Sequence, residues 1–320
     1  MFSLEYKKSS FCVAIMIFCL SFFINPHYIF GDQNIYITVY NKLASLGFIE
    51  GFSYYTHSLS SYEPGHFALA WIFSPWIDKN LFVSSLNALL AFYSMQLLFK
   101  WKASVYVASS IVLTNFYLYV LYFAAERLKV SFIFLTMAFV YSNGLKFYIF
   151  SLFSLVSHAQ VSIIYVMVFL KEALYELKII MLYGKVKYFF LAAVIFLIIG
   201  LFLIYPQLKF KFNSYIFHYL IYLKIEEIYK LVVFYLATLY YSKKRLEISI
   251  FFVTLMLAAF VLGASRVSMI GYFVFLYYAL QINKGLNLGV GLTTFYFLYK
   301  TVIFIVKIFK YGNGFDNRLF

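Results

Sequence analysis

What is scarce in this chain narrows it faster than what is common. Acidic side chains number 12 against 26 lysines and arginines. The aspartates are Asp32, Asp78 and Asp316, too scattered to form the D-x-D pair that would hold a metal-bound nucleotide, which argues against a nucleotide-sugar glycosyltransferase. The cysteines, Cys12 and Cys19, share one apolar run and read as packing residues, not as a disulfide or a metal pair. Only 4 prolines and 14 glycines occur in 320 residues, so no flexible linker separates domains. No polar stretch is long enough for a soluble domain. G-x-S-x-G, H-E-x-x-H, P-loop and dinucleotide-binding glycine patterns are all missing. His27, His57 and His66 lack ligand spacing with Cys or Asp, so neither metal nor cofactor is expected.

What remains is oil. The chain is 64% hydrophobic and 12% charged, with a mean hydropathy of +0.86. A soluble domain cannot hide that much apolar surface. Unbroken runs near the length of a bilayer span recur throughout, where a membrane β-barrel would alternate in short segments. The fold class expected is all-α: a polytopic helical integral membrane protein, one transmembrane domain over residues 1–320, with about 10–11 spans. The net charge of +14 sits in short lysine clusters between the runs. That is the pattern of orientation signals and anionic-lipid contacts, and no basic, aromatic-lined groove suggests nucleic acid.

Lys7 and Lys8 precede the first run, 11–24, with no small-residue cleavage site after it; an uncleaved span with a cytoplasmic N-terminus follows. The acid-leaning segment 25–64 then belongs outside. The run 67–77 is short and holds Pro75, so it is tilted, broken or re-entrant. Runs at 81–99 and 103–124 lead to a charged island, Glu126-Arg127-Leu128-Lys129. Further runs follow at 130–141, at 147–170 with His158 near its middle, and at 188–205, after the lysine-rich, cytoplasmic 171–187. A second outer loop at 207–227 precedes runs at 228–241, 248–263, 267–282 and 288–306. Counting every run as a full crossing puts Arg127 inside and Arg266 outside. A re-entrant 67–77 moves Arg127 outside but takes the lysine-rich 171–187 out with it, against the positive-inside trend, and a broken span near His158 would repair the parity.

A few groups could carry chemistry. Asp32, Tyr36 and Tyr40 share a helical face in the first outer segment, either as a site or as a surface-lying amphipathic helix. In Ser61-Tyr62-Glu63-Pro64-Gly65-His66, Pro64 suits the first turn of a helix, which places Glu63 at its mouth. Glu63 either caps that helix or serves as a base towards a sugar hydroxyl. Arginine occurs only at 127, 245, 266 and 318. Arg245 fits an orientation signal and Arg318 a tail. Arg127 and Arg266 stand between apolar runs, where they either snorkel or present a planar fork to phosphate oxygens. His158 is either a packed structural residue or a proton-transfer group.

In this order these residues resemble a Wzy-type polysaccharide polymerase of the EpsG-like family. Asp32, Tyr36 and Tyr40 stand in the first outer loop, Glu63-Pro64-Gly65 opens the next run, Arg127 follows a pair of spans, His158 lies within a run, and Arg266-Val267-Ser268 opens a late one. At position 128 the chain has Leu where the family often has Gln. The resemblance implies a cytoplasmic-membrane enzyme of bacteria, with a GT-C-like arrangement of spans among the options. It would transfer a growing glycan from undecaprenyl pyrophosphate to a hydroxyl of a lipid-linked repeat unit, without a metal. Glu63, His158, Arg127 and Arg266 would be catalytic. Asp32, Tyr36, Tyr40 and His66 would bind substrate, and a chain-length regulator is a further partner to expect. Other classes stay open: an O-antigen ligase-like enzyme, a sugar O-acyltransferase, or a lipid-linked oligosaccharide flippase.

Overall fold

The computed structural model describes residues 4–142, 144–184 and 225–315, with scattered positions between 188 and 209. The expected run 188–205 and most of the loop 207–227 fall outside the described stretches. All regular structure among the described residues is helical. Two compact units emerge, one from Met1–His158 with Leu280–Phe320, the other from Ala159–Ala279.

The first unit begins with α1 (Leu4–Ile24). Its buried residues, Ser10, Val13, Ala14, Ile17, Ser21 and Ile24, fall on one narrow stripe, while Phe11, Met16, Phe22 and Phe23 face outward. That stripe packs along α5 (Lys79–Lys100). The small residues let the backbones approach, and Asn87 Nδ2 donates to Ser21 Oγ at 2.9 Å, as in helix pairs adapted to lipid. Asp78 starts α5 by accepting from the amides of Asn80 and Leu81.

Between α1 and α5 lie three short helices: α2 (Asp32–Leu43), α3 (Phe48–Leu59) and α4 (Pro64–Phe73). They share a core of Val39, Tyr40, Leu43, Tyr55, Phe67 and Ala70 with Phe82 and Val83 of α5. With 10 residues α4 is about 15 Å long, half the thickness of the hydrocarbon layer.

After α5 come α6 (Val105–Thr114), α7 (Phe116–Tyr119) and a π-helical turn, Val120–Ala124. The run bends by 50° at Asn115, whose extended backbone ends α6 and whose side chain caps α7. Thr301 of the last helix, Leu288–Tyr311, donates to the Thr114 carbonyl that the break exposes, at 2.8 Å. A second break at Ala125 starts α8 (Glu126–Tyr141), which pairs with α9 (Leu145–Ser157). Their register is fixed by Ser131 and Ser154, each donating to the other's carbonyl at 2.7 and 2.9 Å.

The helix ends of this unit meet in two places. At one, Tyr6 stacks on Phe99 at 4.4 Å, Lys100 Nζ donates to the Phe139 and Val140 carbonyls, and the Ser104 amide donates to the Lys284 carbonyl. At the other, the Ile29 and Phe30 amides donate to the Gly312 carbonyl, Tyr40 donates to the Ile77 carbonyl, and the charged starts of α4, α5 and α8 touch. The chain just before α4 and the chain just after it, at Ile77 and Lys79, therefore lie at one end of the unit, and the short run 67–77 turns back without crossing.

In the second unit, helices Ser162–Tyr183, Ile225–Tyr241, Arg245–Leu262 and Ala264–Ala279 pack around Phe252, Tyr272 and Phe275. Glu247 draws them together, 3.4 Å from Lys171 Nζ and accepting from Tyr278 Oη at 2.7 Å.

Among the described residues, three helices are long and apolar enough to cross a membrane: Leu4–His27, Lys79–Lys100 and Asn283–Tyr311. The bent pair Val105–Thr114 and Phe116–Ala124 makes a fourth if taken as one span. The run 147–170 is not one helix. It breaks at His158, whose extended backbone (φ −162°, ψ 120°) ends α9 before Ser162 begins the next helix.

Candidate active site

The site forms where the starts of α4 and α8 meet the end of α9. Pro64 lacks an amide hydrogen, so it loses nothing at the first position of α4 and leaves Glu63 just outside the helix. The Glu63 side chain makes no capping bond to its own helix. Its carboxylate is fully buried instead, with one oxygen 3.2 Å from Arg127 Nη1 and the other in contact with His158 Nδ1. These residues come from three separate stretches of chain. An isolated carboxylate taken out of water is costly, and an adjacent guanidinium and imidazole offset that cost.

Arg127 is the member of this group open to solvent, with 23% of its side chain exposed. Its Nε donates to Tyr36 Oη at 3.0 Å, and the Tyr36 ring lies 6.0 Å below the guanidinium carbon. Nitrogens of one fork thus serve Glu63 and Tyr36, which fixes the plane of the guanidinium. Burial pushes the Tyr36 hydroxyl up to about 12 despite the nearby Arg127, so it remains a phenol. His66, on the first turn of α4, is buried beside Tyr36, with ring centres 6.1 Å apart. Its Nδ1 is 3.0 Å from Tyr55 Oη. Burial pushes this imidazole down to about 4, so His66 is neutral near pH 7.

A second layer of charge backs the first. Lys79 Nζ lies 3.0 Å from Glu126 Oε1 and donates to Gln33 Oε1 at 2.9 Å; Gln33 Nε2 donates to the Phe123 carbonyl at 2.7 Å. Glu126 and Arg127 are neighbours at the start of α8, so the Lys79 pair on one side and the Glu63 pair on the other fix the rotation of that helix. Lys129, one turn on, is fully buried, and its Nζ has no hydrogen-bond partner among the described residues.

Of the residues singled out from sequence, Glu63, Arg127, His158, Tyr36 and His66 come together here. Tyr40 shares the buried face of α2 with Tyr36 but packs in the core against Phe82. Asp32 is exposed at the first position of α2. Arg266 belongs to the second unit and is exposed near the start of helix Ala264–Ala279. Sequence reading passed over Lys79, Gln33 and Tyr55. The signal for Lys79 was available: a cation just after the cap Asp78 stands at the positive end of a helix dipole, where it is unfavourable without a partner. Among the described residues, no group of three or more His, Cys, Asp or Glu side chains is arranged to hold a metal ion. No family model matches the chain, and neither the curated proteins nor the solved structures contain a match.

Proposed function

We propose that the chain is a polytopic membrane-embedded glycan transferase, a polysaccharide polymerase acting on lipid-pyrophosphate donors. The observation that carries this reading is the buried Glu63 carboxylate held between Arg127 and His158. Ionised groups at membrane depth are costly to keep and mark functional sites by default. These three are also residues on which the resemblance to EpsG-like polymerases rests.

The reaction asks for two services. The acceptor hydroxyl must lose a proton as its oxygen bonds to the anomeric carbon of the donor glycan. The bond from that carbon to pyrophosphate must break, leaving undecaprenyl pyrophosphate with one more negative charge. The Glu63–His158 pair takes the proton, and the partly open Arg127 faces the leaving pyrophosphate. Arg266 as a second cation, and Asp32 and Tyr40 as sugar contacts, rest on the sequence resemblance.

Sidedness supports the same reading. The end of the first unit away from the site carries Lys7, Lys8, Lys100, Lys102, Lys146 and Lys284 against Glu5, while the site's end, outside its buried charge cluster, carries Lys42, Lys307 and Lys310 beside Asp32, Glu50 and Asp78; by the positive-inside tendency we take the more basic end as the cytoplasmic one. Glu63, Arg127 and His158 then lie on the outer side of the cytoplasmic membrane, where lipid-linked repeat units are joined.

The test is glycan length in a strain whose surface polysaccharide depends on this gene. Glu63→Gln, Arg127→Lys and His158→Gln should each leave a single repeat on its anchor, with polymer reduced about 100-fold or more at unchanged membrane level. A full ladder from well-expressed variants refutes the assignment. Loss of even the single repeat indicates a flippase, and normal length lacking a modification indicates an acyltransferase.

A further inference from the structure

The Glu63-Pro64-Gly65 sequence has a third member with no chemistry of its own. Gly65 is the second residue of α4, and a Cβ built there would lie 2.3 Å from Ser157 Oγ, 3.0 Å from Ser157 Cβ and 2.8 Å from Ser157 Cα. A rotamer change cannot relieve a collision with Cα. Ser157 has little freedom in any case: it is fully buried, and its hydroxyl donates to the Phe153 carbonyl at 2.7 Å. The collision would fall two residues after Glu63 and one residue before His158.

We propose that Gly65 is a positioning residue of the site: by having no side chain it lets the start of α4 lie against the end of α9, and this approach holds the Glu63 carboxylate on the His158 imidazole. The inference rests on the polymerase reading for its consequence in activity, but not for its geometry. An added methyl group must push α4 off α9 or turn α9 at its last residue. Either movement separates the carboxylate from the ring, while Arg127 keeps its Tyr36 contact and α8 stays tied to α5 through Glu126 and Lys79. Displacements near 1 Å at a reacting centre are enough to cost about 100-fold in rate.

Geometry and activity are read separately. In a background with Cys12 and Cys19 changed to Ser, Glu63→Cys and His158→Cys are joined with a short bifunctional thiol reagent and the rate of cross-linking is followed. Adding Gly65→Ala should slow it about tenfold or more, whereas Gly291→Ala, at a position open on all sides, should not. In the otherwise unaltered protein, Gly65→Ala should remain in the membrane and lose polymer. If Gly65→Ala does not accumulate, Gly65→Ala with Ser157→Gly removes the Oγ and Cβ contacts and should recover part of both signals. Unchanged cross-linking in Gly65→Ala overturns the positioning role. Slowed cross-linking with a full-length ladder supports the positioning role and overturns the polymerase site instead.

Discussion

At the scale of single residues, the costs in this molecule are concentrated on a few polar side chains. Glu63 and Glu126 each have a cation within 3.2 Å, and their burial is compensated. Lys129 is less so: its side chain is wholly enclosed, its Nζ has no hydrogen-bond partner among the described residues, and only the field of Glu126 offsets its burial. Replacing such a group with an apolar side chain of similar length removes a desolvation penalty and leaves Glu126 with Lys79. Lys129→Met is therefore expected to stabilise the protein by about 1–4 kcal/mol, seen as a higher unfolding temperature in detergent. A lower temperature would show that the amine holds the bundle together. Arg127→Met should go the other way, because it leaves the Glu63 carboxylate with His158 alone and costs about 3–5 kcal/mol.

At the scale of elements, the molecule is made of helices that stop early and find partners for their open ends. Lys100 shows how: from the end of α5 its Nζ donates to the Phe139 and Val140 carbonyls at 2.7 and 3.1 Å and to Ser142 Oγ at 2.6 Å. These carbonyls have no amide donors left within α8, and a cation there also suits the helix dipole. Lys100→Met should fray the last turn of α8, costing about 1 kcal/mol and raising amide exchange over 139–142 with little change over 126–132. Where helices exist was legible from the apolar runs. Where they break was legible only in part: Pro75 and His158 raised a retreat and a break among the options, but the break at Asn115 was not foreseen, because hydropathy does not record which carbonyl will find an outside donor. Asn115 and His158 were visible as polar residues inside apolar runs, yet the 50° bend at the first depends on Thr301, far along the chain. The site was legible in the same partial way. Pro64 placed Glu63 at a helix mouth from local chemistry alone. That its carboxylate turns away from its own helix to reach Arg127 and His158 is a tertiary fact, which no spacing in the sequence encodes.

At the scale of the whole chain, the sequence left Arg127 on either side of the membrane, and the retreat of α4 removes one crossing from the count. The residues that flank it, Glu63 before α4 and Lys79 at the start of α5, touch neighbouring residues at the start of α8, Glu63 to Arg127 and Lys79 to Glu126, so the chain leaves at the level where it entered. From that level α5 runs about 33 Å to the lysine-rich end, long enough to cross the hydrocarbon, and Leu288–Tyr311 returns to meet Ile29 and Phe30. The proposed orientation rests on charge, and it can be measured without reference to catalysis. In a background with Cys12 and Cys19 changed to Ser, Glu50→Cys on α3 and Leu286→Cys before the last helix both sit on exposed positions, at opposite ends of the unit. A membrane-impermeant thiol reagent applied to intact cells should label Glu50→Cys and spare Leu286→Cys, and breaking the cells should make both reactive. Labelling of Leu286→Cys in intact cells would turn the molecule over and put Arg127 beside the cytoplasm, where the proposed donor and acceptor are not joined. Labelling of both would mean that α5 does not cross, and that the buried charges belong to some other arrangement of the same helices.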